Sequence, residues 1–185
     1  MPFRWPAMGT YPSIIWSDPI RVDKRLMTDQ FQERWHPHVT VAAIACRNGE
    51  YLIVRETIDG VTVLNQPAGH VDQNETLVQA VVRETREETG WGFEPLGLSG
   101  IYQYIAPNGE TYFRFTFFGD LIALDENVVL DDPIDEVVFM DKTALESAPN
   151  LRSQSVLKCI EDYESGRRLP LDTVCALWEQ AAQGK

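Results

Sequence analysis

Glu84, Glu87 and Glu88 lie in Leu77–Thr89, a stretch with helical patterning. On a wheel of about 100° per residue with Leu77 at zero, they fall at about 280°, 340° and 20° in the order Glu87, Glu84, Glu88. Val81, Thr85, Val78, Thr89 and Val82 span about 40° to 140°, the stripe expected to be buried. Arg83, Arg86 and Gln79 lie at about 180° to 240° and are expected to face solvent. The three carboxylates therefore converge along the boundary between core and water. Like charges that close raise one another's pKa. A divalent cation removes the repulsion, and hard oxygen ligands on one rigid face suit Mg²⁺, with Mn²⁺ as a substitute. The competing interpretation is a solvated helix face laced by pairs such as Arg83–Glu87.

Local signals delimit the elements that must position this helix. Thr76 is placed to cap its N-terminus, with Gln79 at the capping-box position, and Gly90 to stop it. Upstream, HVTVAAIAC from His38 and YLIVRE from Tyr51 are expected strands joined at Asn48-Gly49, a two-residue hairpin signal. Asp59-Gly60 before VTVL and Asn108-Gly109 before TYFRFTFFGDL repeat it. A short strand is expected at Val137–Met140, a second helix from about Ser153 to Ser165, and a third over LDTVCALWEQAAQ from Leu171. Hairpins flanked by helices predict an α+β fold in which a mixed sheet lies between helical layers. Residues 1–35, with prolines and a charged RVDKR stretch, are expected to form a weakly ordered N-terminal extension. Residues 36–185 are expected to form one domain.

The spacing around the helix is more specific than the wheel. Gly69 is followed by Glu75, Arg83, Glu84, Glu87, Glu88 and Gly90, with Trp91 next. At roughly 6% per residue type, chance agreement at seven fixed positions is on the order of 10⁻⁹ per starting point. This set resembles the complete signature motif of the Nudix hydrolase family. Thr85 departs from it, standing where the family carries a bulky aliphatic residue.

The resemblance implies an α/β/α sandwich with a loop–helix–loop motif and a phosphohydrolase activity. It implies metal binding by Glu84, Glu87, Glu88 and the carbonyl of Gly69, with the same glutamates serving catalysis. Glu75 and Arg83 would be structural, paired to tie the loop to the helix. Beyond the motif, His36–Ala42, Leu64–His70, Tyr104–Pro107, Phe113–Phe115 and Asn150–Ser153 resemble a subgroup of Nudix phosphatases. That subgroup releases phosphate from nucleoside tri- and diphosphates and from the diphosphate of the thiamine pyrimidine precursor. Leu64 departs from it where the group tends to carry Trp, a side chain that could stack a base.

Substrate contacts are expected from Arg114, since an arginine on a sheet face can fork two phosphate oxygens. Arg55, Arg152 and Gln66 are further candidates. The acidic run Asp131–Glu136 could supply a general base or an extra ligand, with Asp135 and Glu136 the best placed; the alternative is a solvated turn.

Lys+Arg 16 against Asp+Glu 28 gives a net charge of -12, which disfavours broad nucleic-acid binding. No apolar run approaches the roughly 20 residues that span a bilayer, and no secretory signal is read at the N-terminus. Cys46, Cys159 and Cys175 have no metal-ligand spacing and point to free thiols in the cytoplasm. A small phosphoanhydride substrate is the expected partner, on a monomer or homodimer. Open alternatives are a nucleotide sugar, a dinucleoside polyphosphate, an RNA 5′ end, or a Nudix-fold module without catalysis.

Overall fold

A computed structural model describes residues 35–177. The N-terminal extension through residue 34 and residues 178–185 lie outside the described residues. In chain order the elements are β1 (His38–Arg47), β2 (Glu50–Ile58), β3 (Val61–Asn65), β4 (Ala68–His70), α1 (Leu77–Thr89), β5 (Trp91–Ile105), β6 (Thr111–Leu124), β7 (Ile134–Met140), α2 (Lys142–Ser147), α3 (Ser155–Glu164) and β8 (Leu169–Pro170). The strand order is β3-β2-β1-β6-β5-β8, with β4 on β1 and β7 on β2. β1 and β6 run parallel while the other pairings are antiparallel, so the sheet is mixed.

Side-chain alternation along β1 builds the layers. Val41, Ala43 and Ala45 pack with Ala80 and Val81 of α1. Ile44, on the other face, packs with Leu145 of α2 and with Cys159 and Ile160 of α3. The sheet is thus covered on both faces, an α/β/α sandwich.

The turns follow local chemistry. Asn48-Gly49 and Asp59-Gly60 each place two residues at positive φ, which the right-handed twist of a two-residue hairpin requires. The Asn108-Gly109 turn differs. Only Gly109 has positive φ, and Ala106 N–H donates to Glu110 O across a longer loop. The Asn108 side chain accepts from Glu110 N–H and settles that loop instead. Thr76 and Gln79 form the reciprocal cap of α1, and Gly90 closes it in the left-handed region.

Three expectations are corrected. The third helix does not begin at Leu171: Leu171–Thr173 is a single 3₁₀ turn, Val174 is extended, and helical backbone starts only at Leu177, beyond which the stretch lies outside the described residues. The buried face of α1 is rotated toward the glutamates, comprising Ala80, Val81, Glu84, Thr85 and Thr89, while Val78 and Val82 are half-buried. The cause is β4, which lies against that side of the helix and encloses Glu84. Arg83 is not turned to open solvent but engaged by the loop before the helix. Thr85 is fully buried and donates its hydroxyl to Val81 O at 2.7 Å, so the departure from an aliphatic residue leaves no orphaned group.

Candidate active site

β1 and β2 pair only at the hairpin end, at Cys46–Tyr51 and Arg47–Glu50. Further along, β1 takes β4 as its neighbour, through Thr40–His70, Val41–Gly69 and Ala42–Ala68. The sheet therefore forks, and the motif helix meets the fork from one side. Gly69 is required there: a Cβ on it would overlap the carboxylate of Glu84. Ala68 N–H donates to Glu88 Oε2 at 2.8 Å.

Arg83 organises the rest. Its Nε and Nη2 donate to the two oxygens of Glu75 at 2.8 and 2.9 Å, and Nη2 also donates to His70 O at 3.0 Å. Nη1 reaches Glu84 Oε1 at 2.8 Å and Glu87 Oε2 at 2.9 Å. Glu75 additionally accepts from Asp72 N–H. One guanidinium thus joins the loop to the helix and holds two helix carboxylates. The hydrogen bonds from Arg83 keep the Glu75 carboxyl below its ordinary range.

Burial acts the other way on the remaining pair. Desolvation raises Glu84, with the nearby charges of Glu87 and Asp131 adding to it and Arg83 opposing. Desolvation pushes Glu88 up to about 8; Glu84 and Glu56 add to the shift, while the Ala68 amide and Arg152 oppose it. A raised acid favours folding in its protonated form. Its stabilising contribution is therefore complete below the unfolded value of 4.5 and lost as pH rises through about 8. For EDTA-treated protein, Tm is expected to fall by several degrees between pH 5 and pH 8, and Glu88→Gln is expected to flatten that slope. Thermal scans across the range check this; an unchanged slope in the variant overturns it.

Sequence reasoning missed Glu56. It is 3% exposed, forms an ion pair with Arg152 Nη1 through Oε2, and leaves Oε1 buried without a hydrogen-bond partner. A register shift in the β2–β7 pairing falls between Arg55 and Glu56. The extra residue of this bulge is Asp135 of β7, while β2 stays in regular register with β3, so plain alternation along β2 encloses Glu56 and turns Arg55 to Glu136. In the sequence Glu56 is only the last residue of a strand, and no local signal marks it.

Other expected residues are distributed unevenly. Arg114 and Arg152 line a cleft of about 520 Å³ that also contains Ala68, Gly69 and His70. Arg114 is 4% exposed; its Nη2 donates to Gln66 Oε1 at 2.7 Å and its buried Nε has no hydrogen-bond partner. Gln66, expected at the substrate, is enclosed instead. Its amide donates to Val156 O and its oxygen holds Arg114, so both ends are engaged in the interior. Arg55 is absent from the cleft wall. Asp135 accepts from Thr57 and Glu136 binds Arg55, because β7 pairs with β2 and carries both away. Asp131 is the member of that run drawn to the helix, with its N–H donating to Glu87 O. Larger apolar hollows flank α1 near Val78, but they contain neither Gly69 nor Arg114.

The donor set fits a hard divalent cation: carboxylates, a strand carbonyl and an unsatisfied buried carboxylate oxygen. Among the described residues no three His, Cys, Asp or Glu side chains stand together in metal-holding geometry. Arg83 draws Glu84 and Glu87 one way while the Ala68 amide draws Glu88 another.

The family model for the NUDIX domain matches residues 36–158, and the chain belongs to the Nudix family. It is a phosphohydrolase of that family. Among curated proteins it is similar to Phosphatase NudJ of Escherichia coli (strain K12) and of Shigella flexneri. Each is 40% identical over 138 residues, covering 75% of this chain and 90% of the relative. Among solved structures, a NUDIX hydrolase from Nitrosomonas europaea is 40% identical with TM-score 0.75, covering 76% of this chain and 97% of that one. A MutT NUDIX hydrolase from Burkholderia pseudomallei is 25% identical with TM-score 0.59, covering 69% and 98%. Among the described residues no helix is long and apolar enough to cross a membrane.

Proposed function

We propose that this chain hydrolyses a phosphoanhydride bond with Mg²⁺, releasing phosphate. Its substrate is a nucleoside di- or triphosphate, or a small organic diphosphate such as that of the thiamine pyrimidine precursor. The observation that carries the proposal is a single cleft with Gly69, against the Glu84 carboxylate, in the same wall as Arg114 and Arg152. Cationic side chains and metal-type oxygens so disposed suit a phosphate chain. The similarity to proteins named as phosphatases supports phosphate release.

Glu84, Glu87, Glu88 and the Gly69 carbonyl would hold the ion, and Mn²⁺ would substitute. When bound, it offsets phosphate charge and makes a water acidic enough to attack. The protein's own groups do the rest. Arg114, with an uncommitted N–H, and Arg152, held by Glu56, bind phosphate oxygens. Arg83 fixes the loop that carries Gly69. A helix carboxylate takes the proton of the attacking water. The chain from about residue 36 works as one Nudix domain, and the free thiols of Cys46, Cys159 and Cys175 support a cytoplasmic setting.

The test is hydrolysis of nucleoside di- and triphosphates, thiamine-related diphosphates, nucleotide sugars, dinucleoside polyphosphates and a triphosphorylated RNA, with Mg²⁺ and with EDTA, read as phosphate released directly from the first two groups and by separation of the products for the rest. Metal-dependent release from the first two groups is expected. Selective turnover of a later group replaces the substrate. Tight binding without release from any member identifies a non-catalytic module.

A further inference from the structure

Sheet register brings together a row of rings that the phosphate chemistry leaves unused. His38 of β1 stands opposite Tyr112 of β6, which stands opposite Tyr104 of β5. Residues so paired project on one face and touch. His38 and Tyr112 stack with centroids 4.7 Å apart and an 18° interplanar angle; Tyr112 and Tyr104 stack at 5.3 Å and 10°. Tyr112 is thus enclosed between two rings, and its hydroxyl donates to Glu110 Oε2 at 3.3 Å. The same Glu110 oxygen lies 3.3 Å from His38 Nε2. Tyr104 ends the column, is half-exposed, and lines the cleft together with Tyr112 and Arg114.

The next row on this face is Thr40, Arg114 and Tyr102, with His70 across from Thr40. Rows two residues apart are about 7 Å apart. A ring stacked on the free face of Tyr104 also lies two strand steps of about 4.8 Å from Arg114, on the order of 12 Å in all, a distance that a pentose and its diphosphate cover together with the reach of the arginine side chain. Leu64, where the resembled subgroup tends to carry Trp, is unavailable for this: it is 5% exposed and packs with Leu145 and Ile160.

We propose that the Tyr104–Tyr112–His38 column is the specificity platform of the cleft, extended by the planar heteroaromatic ring of a diphosphate substrate stacking on Tyr104. This rests on the hydrolytic function proposed above and narrows its substrate to ring-bearing diphosphates. Flat rings prefer offset stacking on a rigid aromatic face, and such a contact tolerates different bases while rejecting an alkyl group.

The test uses the full chain with Mg²⁺, as wild type and as Tyr104→Ala, Tyr104→Leu and Tyr104→Phe. Calorimetry measures binding of cytidine 5′-(α,β-methylene)diphosphate and of ringless methylenediphosphonate. Kinetics compare cytidine diphosphate with methyl diphosphate. Wild type is expected to bind the ring analogue at least about tenfold tighter than the ringless one. Tyr104→Ala and Tyr104→Leu are expected to lose that margin, raising KM for cytidine diphosphate with kcat little changed. Methyl diphosphate kinetics stay at the wild-type level, and Tyr104→Phe restores the margin. Equal affinity for both analogues in wild type, or an equal loss on both substrates in the variants, overturns the platform. Ring-selective binding through Tyr104 without turnover of either diphosphate would uphold the platform and overturn the hydrolytic function alone.

Discussion

Glu88→Gln is expected to lower metal-dependent phosphate release at least about a thousandfold, while raising the thermal stability of the metal-free protein at pH 8. The two effects have one cause. Glu88 is a carboxylate pushed up to about 8 chiefly by its own burial, beside Glu84 and Glu56. Without a cation its charge opposes folding, and a neutral amide of nearly the same shape removes that cost. In the proposed site the same charge would bind the cation, and an amide oxygen is a poor replacement for a carboxylate. A bound metal ion supplies several kcal/mol of charge stabilisation to the transition state, and each 1.36 kcal/mol is tenfold in rate. Initial-rate assays with Mg²⁺ and thermal scans with EDTA, run on the same preparation, check both halves. Turnover near the wild-type level would remove Glu88 from the site. A lower Tm at pH 8 would show that its carboxylate is stabilised by some group other than a metal.

Gly69→Ala is expected to lower kcat about a hundredfold with only a small change in Tm. A methyl group on this residue would overlap the Glu84 carboxylate at closer range than real Cβ atoms approach. The carboxylate is the end of a flexible side chain, so the collision is relieved by moving it rather than by unfolding. It has nowhere neutral to go: Glu84 is 8% exposed and Arg83 holds Oε1. A displacement of roughly 1 Å at a reacting centre costs on the order of a hundredfold. In the proposed site the same strand residue would offer its carbonyl to the ion, so a shift of β4 would add to the loss. Steady-state kinetics and a Mg²⁺ titration of activity check this. Unchanged kcat at saturating Mg²⁺ would mean that the Gly69–Glu84 contact is not part of the working site.

What could be read directly from the chain lies within a few residues of itself. Thr76 and Gln79 cap α1 because their side chains reach backbone groups three residues away, and Gly90 stops it because its φ is positive. Asn48-Gly49 and Asp59-Gly60 make hairpins for a similarly local reason. The glutamates and Gly69 were legible through their spacing, which matches the family motif. β5 was not legible as a strand, since its glycines and Pro95 obscure the alternation and its ladder with β6 shifts register three times.

The site's finer arrangement was decided elsewhere. Periodicity placed three glutamates on one side of a helix, but the depth of each depends on where β4 meets that helix. Arg114 was an arginine on a sheet face, expected at the substrate; its burial and its hydrogen bond to Gln66, 48 residues away, come from the tertiary packing. Glu56 became part of the site because β2 is flanked by β3 and β7 and brings it to Arg152, 96 residues away. The ring column exists because β1, β5 and β6 share a register. Turns and caps are short-range hydrogen bonds and steric limits, so the sequence by itself determined them, together with the identity of the carboxylates. Burial, and with it the pKa and direction of each charged group, belongs to surfaces that meet only after strands far apart in the chain have paired, so only the tertiary structure decided those.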